Sequence, residues 1–243
     1  MNKEVDTSEF KSFFKSVQGN EGDKCRYNTR LDTYGCGCQH NCSYCYARSL
    51  LHFRGFWNAD QPKAADIRRI ARKVNQLSPG TIIRLGGMTD CFQPCEQEQR
   101  VTYHTILEMN RRRVGYLIVT KSALIAEPEY LEILDRSLAH IQITVTCLDD
   151  KKTLTYEKAS PPSQRVLAIQ KLQESGFDVS MRLSPVIEEF MDFEMLNSLD
   201  IERCVVEFLR INTWIRQWLK EVDFTKYSLR HGYSCRYEES YQR

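Results

Sequence analysis

Residues 36–48 read CGCQHNCSYCYAR, placing four of the chain's ten cysteines within ten positions, with a tyrosine on either side of the last. The amino terminus, MNKEVDTSEFKSFF, has no uninterrupted apolar core, so neither a secretory signal nor a membrane-spanning helix is expected. The expected compartment is the cytoplasm, where clustered cysteines signify metal binding or catalysis rather than disulfides. Cys38, Cys42 and Cys45 form C-x3-C-x2-C. Three local thiolates on a [4Fe-4S] cube leave one iron open to another ligand. A tetrahedral zinc site would instead need a fourth ligand, for which His40 or Cys36 stand nearest. Spacing alone leaves both readings open.

Outward from the cluster the chain alternates strand-like and helix-like runs. Strands are expected at 81–86 (TIIRLG), 115–120 (GYLIVT), 141–147 (IQITVTC), 177–183 (FDVSMRL) and 202–209 (ERCVVEFL), each rich in β-branched or aromatic residues. Helices are expected at 63–77, 96–111, 128–138, 162–175 and 192–198, with Pro62, Pro128 and Pro161 near helix starts and Gly176 as a stop. A further strand at 27–33, just before the cysteines, completes six βα units. The expected fold is α/β, a partial (β/α)6 barrel of parallel strands with helices outside. Its chemistry belongs to the loops after the strand carboxyl ends, where the cysteines lie.

The 243 residues, 42% hydrophobic and 27% charged, suit a folded barrel at 25–211 between two flanking pieces. Residues 1–24 are expected to form a helical extension, with Phe10, Phe13, Phe14 and Val17 at helical spacing. Residues 212–243 are expected to begin with an amphipathic helix carrying Trp214, Ile215, Trp218 and Leu219 and to cap a barrel mouth. A formal net charge of +2 does not by itself call for a nucleic-acid or membrane partner. Arg111, Arg112 and Arg113 precede a strand and so fall at the face opposite the chemistry, while Arg68, Arg69, Arg72 and Lys73 read as a solvated helix face.

The pattern C-x-H-x-C-x-Y-C-Y-A-R at 38–48 is more specific than its cysteine spacing. With RLGGMTDCFQPCE (84–96), VTKS (119–122), TVT (144–146), YEKASPPSQR (156–165) and RLSPVI (182–187), it resembles the radical S-adenosylmethionine (SAM) superfamily, in the branch that includes spore photoproduct lyase. The resemblance implies a [4Fe-4S] cluster on Cys38, Cys42 and Cys45 whose open iron binds the amino and carboxylate groups of SAM. Reduction, by a flavodoxin- or ferredoxin-type donor, then gives methionine and a 5'-deoxyadenosyl radical that takes hydrogen from a substrate.

Given that cargo, the expected cofactor-binding set is Tyr44, Gly86, Gly87, Lys121, Thr144, Thr146 and Arg182. Gly86 and Gly87 bring backbone carbonyls to the methionine ammonium or simply make a tight turn. Lys121 suits the cofactor carboxylate or is a surface lysine, and Thr144 and Thr146, two apart on a strand, share a face toward ribose or carboxylate. Arg182 would grip a carboxylate from the lumen. Thr89, Asp90, Gln93 and Glu96 are candidates for orienting substrate or cofactor, Glu96 alternatively beginning a helix.

In spore photoproduct lyase a cysteine that returns hydrogen stands three residues before the aspartate of this loop; here that position is Gly87. Cys91 and Cys95 are the replacements on offer, and with Asp90 and Arg210 Cys91 makes up the expected catalytic set. The expected substrate is a nucleobase or modified thymine, in DNA or as a nucleotide, met by lesion reversal or radical isomerisation. Tyr227, Tyr233, Tyr237 and Tyr241, interleaved with Arg230 and Arg236, would stack on bases or merely pack. A peptide or small-metabolite substrate, and a non-catalytic zinc or iron-sulfur module, are the rival readings.

Overall fold

The computed structural model describes residues 12–15, 27, 29–230 and 234–237. Its strands are β1 (Phe13–Lys15), β2 (Thr29–Leu31), β3 (Tyr34–Gly35), β4 (Lys63–Ala64), β5 (Ile82–Leu85), β6 (Gly115–Thr120), β7 (Ala139–Thr144), β8 (Asp178–Val186), β9 (Cys204–Phe208), β10 (Arg210–Ile211), β11 (Tyr227–Arg230) and β12 (Ser234–Tyr237). The helices are α1 (Tyr46–Phe53), α2 (Ile67–Val74), α3 (Glu96–Gln99), α4 (Val101–Arg111), α5 (Pro128–Ile133), α6 (Asp150–Thr153), α7 (Pro162–Glu174), α8 (Phe193–Asn197) and α9 (Thr213–Trp218).

The main sheet runs β1-β2-β5-β6-β7-β8-β9. From β2 onward its six strands are parallel, as the six expected βα units require. Alternation along each strand sorts its two faces. Leu31, Ile83, Leu85, Ile118, Ile141 and Met181 turn outward into the main core, where they meet Ile70, Ile106, Ile169 and Leu172 of the covering helices. The intervening residues, among them Arg30, Arg84, Gln142 and Arg182, take the other face, so the inside of the partial barrel is polar. A groove of about 590 Å³ lined by Leu183, Phe193, Leu196, Val206 and Phe208 lies on the outer side of β8 and β9, away from the cysteines.

Several elements depart from the sequence reading. Phe13 and Phe14 belong to a strand, not a helix: β1 pairs antiparallel with β2, Phe13 opposite Leu31, and supplies partners for the edge amides and carbonyls of β2. Phe10 and Val17 of the expected helix lie outside the described residues. The helix expected from 63 begins at Ile67, because Lys63–Ala64 pairs as β4 with Tyr34–Gly35 and Asp66 accepts the Arg68 amide at 2.8 Å as a cap. The helix expected over 96–111 breaks at Arg100, which is left-handed at φ +53°. The helix ending at Glu174 stops as expected: Gly176 takes φ +77°, its N–H reaches the Gln173 carbonyl, and the Phe177 N–H reaches that of Leu172.

The carboxyl-terminal helix α9 packs on α1. Asn212 donates to Ser49 Oγ at 2.8 Å, the His52 ring meets Trp214 edge-on at 5.3 Å, and the Arg48 guanidinium stacks 4.1 Å over Trp218. A separate three-stranded sheet of order β10-β12-β11 follows. Among the described residues no helix is long and apolar enough to cross a membrane.

Candidate active site

Strand β2 ends at Leu31 and delivers the chain to the cysteine loop within a few residues. Gly37 is required there, since a Cβ would fall 1.8 Å from the Asn58 carbonyl oxygen. Cys38 and Cys42 are buried and Cys45 half-buried. Tight turns join them, the Asn41 N–H reaching the Cys38 carbonyl at 3.0 Å and the Cys45 N–H that of Cys42 at 3.2 Å. Cys45 caps α1, its sulfur accepting from the Arg48 N–H at 3.4 Å. Two distant segments strap the loop. Gln39 exchanges backbone-to-amide hydrogen bonds with Gln93 and Cys95, and the Ser43 N–H and His40 carbonyl bond to the backbones of Tyr156 and Lys158.

The glycine turn after β5 forms the next wall. Gly86 adopts φ +78°, and a Cβ on it would sit 2.8 Å from the Val119 carbonyl oxygen, so the tight-turn reason for glycine holds at this position. The Gly87 carbonyl accepts from the Tyr46 hydroxyl at 2.5 Å. Asp32, which the sequence reading passed over, accepts the Gly87 amide at 2.6 Å and the Met88 amide at 3.0 Å. Burial pushes its carboxyl up to about 7, against the lowering pull of these amides and of Arg84.

Asp90 lies under the adjoining loop. It accepts from Thr120 Oγ1, the Phe92 N–H and the Lys121 N–H, and His40 Nδ1 lies 3.3 Å away. Burial alone would raise this carboxyl, but the His40 charge and these donors outweigh it and hold Asp90 at about 2. These contacts tie the cysteine loop to β6 through Asp90. Cys91 is 1% exposed and packs in the main core. Glu96 is buried beside it and accepts from Tyr34, Tyr130 and the Thr102 and Tyr103 amides, so it begins a helix, as its second reading had it.

On the other side of the cysteines stands a buried ionic network. The Tyr44 hydroxyl donates to Glu157, which pairs with Arg165, both charged side chains being fully buried. Arg165 also donates to the Thr144 carbonyl at 3.0 Å and the Ser160 carbonyl at 2.5 Å. The Thr146 hydroxyl is spent here, 3.1 Å from the Tyr156 hydroxyl and 3.5 Å from Glu157. Tyr44, Thr144 and Thr146 are all buried, and the Tyr44 and Thr146 hydroxyls are engaged in this network. Lys121 is different: half-buried, it lies 5.5 Å over the Tyr44 ring, and its charge is felt by Cys42, Cys45 and Glu157. Arg182 is already paired, to Glu207 and at 2.9 Å to Gln142, and Arg210 meets the same Glu207 at 3.4 Å. Of the tail tyrosines, Tyr227 is buried against Phe224, while Tyr233 and Tyr241 lie outside the described residues.

A family model for the Radical SAM superfamily matches residues 33–200, from the cysteine loop to the end of α8. The chain belongs to the radical SAM superfamily. Its members use a [4Fe-4S] cluster and SAM. Over 167 residues the chain is 25% identical to an uncharacterised protein of Methanocaldococcus jannaschii, a match covering 66% of this chain and 61% of that protein, so it spans less than two thirds of that relative's length. Among solved structures the fold is similar to a spore photoproduct lyase variant with bound AdoMet and dinucleoside spore photoproduct, at a TM-score of 0.61 and 14% identity over 98% of this chain and 73% of that one. It is similar also to spore photoproduct lyase complexed with the dinucleoside, at 0.62 and 16% over 84% and 67%, and to anSMEcpe with bound AdoMet, at 0.51 and 11% over 74% and 49%.

The radical SAM cluster fits the donors present. Burial pushes all three thiols up, Cys38 to about 12, Cys42 with the Glu157 charge adding to it, and Cys45 against the pull of the Arg48 N–H and Lys121. Bound iron would favour their thiolate forms, its positive charge reversing the local balance and the protons passing to solvent. Three thiolates that each take a separate iron corner of a cube are the donor set such a cluster needs. His40, one proposed fourth ligand for zinc, faces Asp90 instead. The sequence reading missed Asp32, His40 as a partner of Asp90, and the Glu157–Arg165 pair. The pair lies inside YEKASPPSQR, and its signal was an acid and an arginine flanking a helix start.

Proposed function

We propose that the protein is a radical SAM enzyme acting on a nucleobase or modified thymine, in DNA or in a nucleotide, by lesion reversal or radical isomerisation. The observation that carries this is the placement of three clustered thiols, two buried and one half-buried, at the carboxyl-terminal mouth of a parallel sheet whose inner face is polar and arginine-rich. When bound, the reduced cluster and SAM supply a 5'-deoxyadenosyl radical able to take hydrogen from carbon.

The protein's own part is to hold and to shape. Cys38, Cys42 and Cys45 hold the cluster, and Lys121 offsets negative charge beside it, from the thiolates or from the cofactor carboxylate. The Asp32 carboxyl fixes the Gly86–Gly87 turn, and Tyr46 closes it from α1. The ionic network behind Tyr44 keeps that wall rigid and dry. A nucleic-acid substrate would have to present its base out of the stack for the radical to reach it. The likeness to spore photoproduct lyase structures holding a dinucleoside supports a nucleobase substrate. With glycine at position 87 and Cys91 more deeply buried than Cys95, any hydrogen return by a thiol of this loop would fall to Cys95. A flavodoxin or ferredoxin is the proposed reductant.

Deuterated nucleosides, nucleotides and oligodeoxynucleotides incubated anaerobically with reconstituted protein, SAM and dithionite test the reading. Transfer of deuterium into 5'-deoxyadenosine from one of them is expected. Cofactor cleavage that never picks up deuterium from any, while a peptide or metabolite donates it, would overturn the substrate assignment.

A further inference from the structure

The inner face carries two arginines that the cofactor reading leaves unused. Arg30 on β2 and Arg84 on β5 are register partners on adjacent parallel strands. Each is flanked by residues buried in the outer core, Leu31 beside one and Ile83 and Leu85 beside the other, so both guanidinium groups lie on the inner side. Like charges directly abreast repel. Arg84 also depresses the ionisation of Arg182, which lies three strands away in the sheet order, so the curved face brings their charges near each other.

Nothing among the described residues neutralises the pair. The Nε atoms of Arg30 and Arg84 are buried without a hydrogen-bond partner. Neither guanidinium has a carboxylate within ion-pair distance among those residues, whereas Arg182 and Arg210 share Glu207. Asp32 is the acid that feels Arg84, but its oxygens are taken by the Gly87 and Met88 amides, and burial favours its neutral form. Both arginines stand one residue before their strand ends, just inside the mouth, and Tyr46 feels the charge of both. Both are only half-buried, so a ligand can reach them.

We propose that Arg30 and Arg84 form an anion subsite for a phosphate monoester carried by the substrate. Two planar forks side by side match the several oxygens of a phosphate, and a charge near −2 answers two unpaired cations where a carboxylate or a phosphodiester brings one. The subsite rests on the proposed nucleobase reading and narrows it to a nucleoside monophosphate.

Equilibrium binding to the anaerobically reconstituted protein, with SAM present, tests this with thymidine 5'-monophosphate, thymidine, the dinucleotide TpT and inorganic phosphate. The monophosphate is expected to bind at least about tenfold tighter than thymidine or TpT and to be displaced by phosphate. Arg30→Gln and Arg84→Gln should each weaken phosphate and monophosphate about tenfold or more while SAM binding is retained, which also reports an intact fold, and Arg84→Lys should fall between. Phosphate affinity unchanged in both Gln variants overturns the subsite. So does competition between SAM and phosphate, which would give the arginines to the cofactor carboxylate. If phosphate binds through the arginines but the nucleoside moiety adds nothing, the subsite stands and the nucleobase reading fails.

Discussion

Asp32 couples the glycine turn to pH. Its folded carboxyl is pushed up to about 7 from an ordinary 3.8. A raised carboxyl binds its proton more tightly in the folded than in the unfolded protein. The stabilisation is therefore full below about 3.8 and is lost as pH rises through about 7, a change on the order of a few kcal/mol. Asp32→Asn keeps an oxygen for the Gly87 and Met88 amides and should flatten that dependence, so urea midpoints at about pH 5 and about pH 8 should differ less than in the wild type. An unaltered difference would contradict the assignment. The three cysteines were legible because thiols at C-x3-C-x2-C spacing are a metal-binding signature. Asp32 was not, because its partner amides lie 55 and 56 residues away and only the folded loops bring them to it. The burial of Cys91 was hidden too: it stands in a loop between Asp90 and Phe92, and its side chain enters the core.

At the scale of elements, the loop that holds the cysteines is itself held, by Gln93 and Cys95 on one side and residues 156–158 on the other. The second strap depends on Glu157 and Arg165. Glu157→Ala leaves a fully buried guanidinium uncompensated and should cost about 3–5 kcal/mol, whereas replacing both partners by apolar residues of similar volume should cost much less. Chemical denaturation of the two variants measures this; equal losses would mean that the pair contributes shape rather than charge compensation. The parallel strands were legible to within a few residues because β-branched runs alternate with amphipathic ones. Helix α1 was not, since its cap is Cys45, a residue outside the usual capping set. The break at Arg100 was equally hidden: Glu96 accepts the Thr102 and Tyr103 amides from outside α4, a long reach that permits a left-handed arginine between two helices.

As a whole, the molecule is a curved parallel sheet with an apolar outer face under helices and a charged inner face below the cysteine loop. The fold class was readable from the alternation of elements, and the site's location from the rule that loops after strand carboxyl ends carry the chemistry. The inner-face arginines were not, because Arg30 and Arg84 become neighbours only through strand register. The central claim is that Cys38, Cys42 and Cys45 hold a cluster that cleaves SAM. Anaerobic reconstitution, with iron and acid-labile sulfide counted and 5'-deoxyadenosine measured after reduction with SAM, tests it in one preparation. About four irons and four sulfides per chain together with 5'-deoxyadenosine, all lost in Cys42→Ala, is the result predicted. A single bound zinc, no acid-labile sulfide and no 5'-deoxyadenosine would contradict it.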